Sequence, residues 1–366
     1  MSLVPAGLIA AVRSGLTNAG PPSDERPHPV IDQDVIEQAC AHRVEGLVWM
    51  ALESGAVTAP ESVSARAHDA HLQALRTCLA AEEVAVLATQ ALADCGVAAR
   101  VLKGVAMAHL DYDNPQDRTF GDADLLIQRA DLAAALSGLL AAGFSRALPP
   151  VRQSWERRFA KAVMLTAPNG YELDLHLALA GGYFGEVFEH QRLWQRSGQT
   201  LTIAGSTLTA LDTEDRLVHA CIHAVLGGNS GMRVRRDIAQ LVLVTEADWQ
   251  VSRDRAIASG CDSVLALGIA QTWAALQLDP AHPAAAWAAQ ISISPQQRRA
   301  LAHYGELSGR GWAPEARSTL AALNRRDQTR FIVGLVAPSR ASLAARRRSR
   351  TGHFGRALRG IVALKR

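Results

Sequence analysis

The run Gly-Asp-Ala-Asp-Leu-Leu-Ile at residues 121–127 decides how this chain is interpreted, because it predicts a short strand that begins with two acidic residues. Side chains alternate across a strand, so Asp122 and Asp124 share one face while Ala123 and Leu125 share the other. Two carboxylates on one face repel each other unless a cation lies between them, and Mg²⁺ prefers carboxylate, phosphate and water oxygens. A solvated strand end is the competing interpretation, since two aspartates at this spacing are common.

A hairpin is predicted further along, where an Asn-Gly pair, the favoured tight-turn dipeptide, separates residues 163–167 from residues 171–176. On the second strand, Glu172, Asp174 and His176 share a face. A third carboxylate on a neighbouring strand is what phosphoryl transfer with two metal ions requires. A salt bridge between Asp174 and an arginine is the alternative. The predicted catalytic and metal-binding residues are Asp122, Asp124 and Asp174.

A strand-to-helix turn precedes these elements, with a strand predicted over residues 97–102 and a helix over residues 105–110. Glycine at position 104 allows close backbone approach, and a helix N-terminus attracts phosphate. Lys103 would add a positive charge, unless it is only an exposed lysine. Two further residues lie just before the acidic strand, an arginine that could clamp phosphate or pair with a carboxylate and a glycine that suggests a close approach. The predicted nucleotide- and phosphate-binding residues are Lys103, Gly104, Arg118 and Gly121.

Three segments together resemble the bacterial "uncharacterised nucleotidyltransferase" family of the DNA polymerase β-type superfamily. They are Leu-Lys-Gly-Val-Ala-Met-Ala at residues 102–108, Arg118 with the acidic strand at 121–127, and Glu-Leu-Asp-Leu-His at 172–176. The likeness continues into residues 213–223 and 235–241, so it covers roughly residues 32–244.

The resemblance implies transfer of a nucleoside monophosphate from an NTP, with ATP as the expected donor, to an unidentified small-molecule, peptide or protein acceptor. It implies Mg²⁺ or Mn²⁺ as cofactor, with Asp122 and Asp124 binding both ions and Asp174 completing the one that activates the acceptor. The wider superfamily has Gly-Ser in the first turn, where this chain has Lys103-Gly104. A catalytically inactive binding or scaffold protein is therefore one alternative function, and an enzyme that modifies RNA ends is another.

Several histidines and arginines are candidates for lining the cleft of the active site. Asp215, His219 and His223 are spaced to share one face of a predicted helix, but no H-E-x-x-H motif is present, so packed or hydrogen-bonded side chains are favoured over a metal site. Arginines 233, 235 and 236 either face the cleft or form a solvated helix start. The cleft candidates are His176, His219, His223 and Arg235.

The fold predicted from these patterns is α+β: a small mixed β-sheet nucleotidyltransferase core flanked by helical regions. We divide the 366 residues into an N-terminal helical region (1–95), a catalytic core (96–180), a C-terminal helical domain (181–338) and a flexible basic tail (339–366). Beyond residue 182 the pattern is interpreted as helical up to about residue 336.

Charge and cysteine content bear on partners and location. The tail holds nine Arg or Lys and no acid, whereas the rest of the chain has 29 basic and 35 acidic residues. We interpret this tail as a solubilising end, with contact to nucleic acid or an anionic membrane as the less favoured alternative. The five cysteines form no C-x-x-C pair, and no secretory signal or apolar run of membrane-spanning length is visible, so we expect a cytoplasmic protein.

Overall fold

A seven-stranded mixed sheet lies at the centre of the protein, and helices precede and follow it. The computed structural model describes residues 4–16, 28–146, 148–227, 231–305 and 313–345. The strands are β1 (Ala99–Val101), β2 (Ala123–Ile127), β3 (Ser145–Arg146), β4 (Ala162–Thr166), β5 (Glu172–His176), β6 (Gln199–Ile203) and β7 (Ser206–Ala210). Their order in the sheet is β3-β4-β5-β2-β1-β7-β6.

Eighteen α-helices are present among the described residues. The first nine are α1 (Ala6–Arg13), α2 (Gln33–His42), α3 (Glu45–Glu53), α4 (Glu61–Asp94), α5 (Lys103–Leu110), α6 (Leu132–Ala141), α7 (Gln153–Phe159), α8 (Gly182–Val187) and α9 (His190–Gln195). The others are α10 (Thr213–Leu226), α11 (Met232–Leu243), α12 (Trp249–Ala258), α13 (Asp262–Leu276), α14 (Pro283–Gln290), α15 (Pro295–Gly305), α16 (Ala313–Ala322), α17 (Arg325–Val336) and α18 (Arg340–Ala345). Short 3₁₀ turns occupy Pro115–Asp117 and Arg129–Asp131. The α+β prediction is confirmed.

The two central strands have opposite chemistry on their two faces. Ala123 and Leu125 of β2, with Leu173 and Leu175 of β5, pack in one hydrophobic cluster with residues of α4 and α6. Asp124 lies on the other face, beside Asp174. Because α4 and α6 shield one face, polar chemistry is confined to the opposite one.

The N-terminal and C-terminal helices share a second hydrophobic cluster. It joins Leu8, Leu47, Leu217, Ile238 and Ile269, from helices α1, α3, α10, α11 and α13. The helices before and after the sheet therefore pack against each other. The proposed division into domains stays a prediction.

The helical interpretation of the region after residue 182 is wrong between residues 199 and 210. That segment forms the β6–β7 hairpin, closed by Ala204 and Gly205, both with positive φ. Strand β7 continues the sheet by pairing in parallel with β1, Val101 opposite Ala210. The alternation Thr-Leu-Thr-Ile and Thr-Leu-Thr-Ala on either side of this turn is a hairpin signal.

Side-chain caps explain where several helices begin. Asp32 accepts a hydrogen bond from the Val35 amide at the start of α2, and Asp212 accepts one from the Asp215 amide at the start of α10. Over the described ranges, no helix is both long and apolar enough to span a bilayer. Most of the basic tail, residues 346–366, lies outside the described residues, and only its beginning is seen, as helix α18.

Candidate active site

The central feature of the candidate site is a pair of aspartates in register on neighbouring parallel strands. Asp124 of β2 lies opposite Asp174 of β5, and Leu126 lies opposite His176. The ligand atoms of Asp124, Asp174 and His176 all lie within 4.8 Å of one another. The structure thus brings together two of the three predicted carboxylates and adds an imidazole that the sequence indicated only as a cleft residue.

Asp122 occupies a different position from the other two acids. It precedes β2, is partly exposed, and is not a member of the group within 4.8 Å. Its charge still acts on the site, since it contributes to raising the pKa of Asp174. Its role as a ligand of both metal ions stays a prediction.

Asp124 is almost fully buried and lies between two nitrogen groups. Its Oδ1 atom is 2.5 Å from the Lys103 ammonium and 2.7 Å from Nε2 of His176. Burial alone would raise the pKa of this carboxyl, but the Lys103 charge and the His176 hydrogen bond outweigh it and hold the pKa well below its usual range. Asp124 is therefore a carboxylate at any physiological pH.

The charge of Asp174 is compensated less, since His176 and Lys103 only partly oppose the rise in its pKa. Its half-buried side chain forms no ion pair or hydrogen bond with any residue in the described ranges. Burial, and then the neighbouring charge of Asp124, raise its pKa. The alternative of an arginine salt bridge is thus not observed, and the carboxylate points to a site for a cation.

The donor set fits a divalent cation. The second oxygen of Asp124, Oδ2, accepts no hydrogen bond from the described residues, and Asp174 lies beside it. Two carboxylates that repel each other are relieved by a shared cation, and carboxylate oxygens suit Mg²⁺ and Mn²⁺. Asp124 and Asp174 are the residues that would hold it, with His176 either orienting Asp124 or acting as a third ligand.

Lys103 reaches Asp124 from the junction of β1 and α5. Its backbone has a φ of +39°, which is uncommon for a residue other than glycine and is typical of functional sites. Gly104 follows and has no room for a side chain, because a Cβ there would lie 2.7 Å from Cβ of Phe120 and 3.1 Å from Nη1 of Arg118. The close approach predicted at Gly104 is therefore to Phe120 and Arg118. Phosphate binding by Lys103 and Gly104 stays a prediction.

Arg118 is used in a buried ion pair. Its Nε and Nη2 atoms donate to the two carboxylate oxygens of Asp237 at 3.2 and 2.7 Å, and Nη1 donates to the Thr119 carbonyl at 3.3 Å. Tyr112 donates to the same carboxylate at 3.0 Å. Arg118 thus joins the segment before β2 to helix α11, and its predicted phosphate contact would require this pair to break. At Gly121, predicted as a close-approach position, a methyl group would lie at an ordinary 3.5 Å from its nearest neighbours.

Two further cations surround the acidic group. Arg233 of α11 donates to the Thr119 carbonyl at 3.2 Å; burial and then the nearby Arg118 lower its pKa to about 10, although Asp237 and Asp122 oppose this. Lys161, just before β4, lies close enough for its charge to act on His176 and His223. Lys161 was not predicted from the sequence as a site residue. The signal that could have identified it is its position directly before β4, the strand that pairs with β5 and hence with Asp174.

The predicted cleft residues separate into two groups. His219 and His223 line a small cavity that also contacts Lys103; burial first, and the Lys103 charge second, lower the pKa of His223 to about 3 and hold that of His219 well below its usual range. Asp215, by contrast, pairs with Arg196 at 2.6 Å and Arg255 at 3.1 Å, so it does not join them in a metal site. Arg235 lies partly buried on α11 and is not among the residues that line this cavity.

The acidic pair on adjacent strands thus lies beside a strand-to-helix turn that carries Lys103 and Gly104. Residues 29–276 match the model of a protein family described as "Uncharacterised nucleotidyltransferase". The chain belongs to this family, and the resemblance drawn from its sequence is confirmed. No curated protein matches the chain.

Proposed function

We propose that the protein transfers a nucleoside monophosphate from an NTP, with ATP as the preferred donor, to a hydroxyl or phosphate group of an acceptor. The observation that carries the proposal is the in-register pair Asp124 and Asp174 beside the Lys103-Gly104 turn. Family membership supports nucleotidyl transfer as the general reaction. Pyrophosphate is the product that leaves.

Asp124 and Asp174 are the residues proposed to hold a divalent cation, Mg²⁺ or Mn²⁺, and Asp122 is proposed to contribute to a second one. Such ions supply charge neutralisation on the triphosphate and lower the pKa of an attacking hydroxyl. The depressed pKa of Asp124 keeps this carboxylate ionised and ready to bind metal. His176 fixes the direction of Asp124 through its 2.7 Å hydrogen bond.

The surrounding cations are suited to the triphosphate. An ammonium group has three donors, and Lys103 uses one on Asp124, which leaves others for β- or γ-phosphate oxygens. Arg233 and Lys161 increase the positive potential around the same group of acids. Positive charge of this kind holds the substrate's phosphates and stabilises charge that develops on the leaving pyrophosphate.

The reaction is tested by incubating the purified protein with each of four labelled NTPs, with Mg²⁺ or Mn²⁺, and with small-molecule, peptide, protein and RNA acceptor pools. Pyrophosphate release and label transfer are measured, with Asp124→Asn as the inactive control. We expect metal-dependent transfer by the wild type and none by the variant. Pyrophosphate release that is the same for both proteins would contradict the proposal.

One observation favours a second candidate, a binding protein without turnover. The Lys103 ammonium already compensates the charge of Asp124, and a tight pair of this kind competes with a metal ion for the carboxylate. The same experiment separates the candidates, since this one predicts NTP binding without pyrophosphate release under every condition. Action on RNA ends stays a prediction tied to the tail, and deleting residues 346–366 would test it.

A further inference from the structure

A large polar pocket lies away from the acidic pair. It has a volume of about 890 Å³, within the usual range for small-molecule sites, and it is formed by segments after β2 and after β5. Arg129 follows β2 by two residues, and His190 accepts a hydrogen bond from the Leu179 amide, three residues beyond β5. The pocket therefore lies beyond the ends of β2 and β5, and neither Asp124 nor Asp174 lines it.

Arginine dominates the charge of this pocket. Four arginines line it against two carboxylates: Arg129, Arg158, Arg192 and Arg196 against Glu186 and Glu189. The other lining residues are two glutamines and His190 together with Phe188 and Gly185, so the wall is mainly but not wholly polar. An excess of guanidinium over carboxylate in a concave surface concentrates positive potential there.

Arg129 is the member whose charge is least compensated. Its Nη1 atom donates to the carbonyl of Ala160 at 2.8 Å, yet it forms no ion pair with any carboxylate of the described chain. Burial lowers its pKa and the nearby Arg158 lowers it further, although Glu186 opposes this. Arg129 is only partly buried, and an incoming anion would supply the partner that its guanidinium lacks.

Arg196 donates through both Nε and Nη2 to Asp215, so its charge is compensated, whereas Arg158 and Arg192 are bound to carboxylates only in part. Arg158 donates to Glu186 at 2.9 Å and to Asp327 at 3.1 Å, and its side chain is 41% exposed. Arg192 pairs with Glu189 and is 52% exposed. Since a guanidinium carries five N–H donors, both retain donors that face the pocket.

We propose that this pocket is a second binding site, for a small anion that carries two or more negative charges on phosphate groups. Arginine forks match phosphate oxygens bidentately, and the pocket is large enough for a compound such as pyrophosphate or a phosphate ester. The ligand comes either from the NTP or from a separate phosphate compound. The proposal goes beyond the function proposed above and does not depend on it.

The test is calorimetric titration of the full chain with pyrophosphate in buffer containing a chelator, so that no divalent cation takes part. We expect Arg129→Gln to weaken binding roughly 10- to 100-fold, the range of a lost charge-assisted hydrogen bond. Glu186→Gln should tighten binding, because it removes a competing carboxylate. Arg157→Gln is the matched control, since Arg157 is exposed on α7 and does not line the pocket.

Binding at the pocket is distinguished from binding at the acidic pair by Lys103→Gln, which should leave pyrophosphate binding unchanged. Binding that is lost in Lys103→Gln but retained in Arg129→Gln would overturn the proposal. An absence of saturable binding by the wild type would also overturn it. If Arg129→Gln does not fold, the surface variant Arg192→Gln should weaken binding while Glu186→Gln strengthens it, and the absence of both effects would overturn the proposal.

Competition by ATP identifies the nucleotide as the source of the bound phosphate groups, and the absence of competition identifies a separate phosphate compound.

Discussion

The Lys103 ammonium lies 2.5 Å from Oδ1 of Asp124, the carboxylate that the sequence predicts as a metal ligand. The lysine was predicted to bind phosphate, yet in the structure it faces the acid across the turn between β1 and α5. The ion pair with Asp124 and a contact with phosphate are compatible, since a triphosphate bound beside Asp124 would be within the reach of the same flexible side chain. Lys103 therefore affects how well the buried Asp124 carboxylate is stabilised and how strongly that carboxylate binds a cation.

Replacing Lys103 with methionine keeps the aliphatic stem and removes the charge. The buried Asp124 carboxylate then loses its cation, which typically costs ~3–5 kcal/mol of stability. Because a divalent ion can supply the missing charge, Mg²⁺ should raise the melting temperature of Lys103→Met more than that of the wild type. Lys103→Arg, which retains a cation, is the control. Equal metal-induced shifts for the wild type and Lys103→Met would show that metal does not bind at Asp124.

The two glycines near the site provide a matched pair for testing packing. A methyl group at Gly104 would lie 2.7 Å from Cβ of Phe120, whereas at Gly121 the nearest atoms, on Arg43 and Thr77, are 3.5 Å away. Gly104→Ala should therefore cost ~1–3 kcal/mol, as overpacking does, and Gly121→Ala should change stability by less than ~0.5 kcal/mol. Urea unfolding measures both. A larger loss at Gly121 would mean that its backbone is constrained by something other than space.

Much of the fold could be predicted because local patterns and packing agree. The helix predicted over residues 105–110 lies within α5, and the acidic strand predicted within residues 121–127 is β2. The hairpin after residue 162 is formed by β4 and β5. The β6–β7 hairpin was overlooked although its alternation is regular, because helical patterns surround it. Its parallel pairing with β1 depends on contacts more than 100 residues apart in the chain, which no local pattern encodes.

The candidate site was predictable only as far as strand alternation reaches. Alternation places Asp174 and His176 on one face, but only the register between β2 and β5 brings them beside Asp124. The partner of Arg118 could not be foreseen, since Asp237 lies on α11, far along the sequence. The same is true of Lys161. Tertiary packing, which brings distant segments together, decides all of these contacts.

His190 should make the protein sensitive to acid. Burial, and then the charge of Arg129, lower its pKa to about 4, so the folded protein resists protonation that the unfolded chain accepts below about 6.5. The unfolded state then binds more protons, and stability is lost as pH falls from about 6.5 towards 4, by on the order of 3 kcal/mol. His190→Gln should reduce the fall in melting temperature over this range, whereas His28→Gln, at an exposed position, should not. Identical pH profiles for His190→Gln and the wild type would contradict this assignment.

A substitution at Asp174 distinguishes a catalytic role of this carboxylate from a structural one. The Asp174 carboxylate has no ion pair or hydrogen bond within the described residues, and burial together with the adjacent Asp124 charge raises its pKa. Asp174→Asn keeps the shape and removes the repulsion, so the melting temperature measured without metal should be unchanged or higher.

Transfer should respond in the opposite direction. If Asp174 holds the cation that activates the acceptor, Asp174→Asn should lower pyrophosphate release by several orders of magnitude while NTP affinity falls only modestly. Glu172→Gln is the control, because Glu172 is an exposed acid two residues earlier on β5 and lies outside the group of ligand atoms. Melting temperature, NTP affinity and pyrophosphate release are measured on one preparation of each variant. An Asp174→Asn protein that is stable and turns over like the wild type would show that this carboxylate has no part in the reaction.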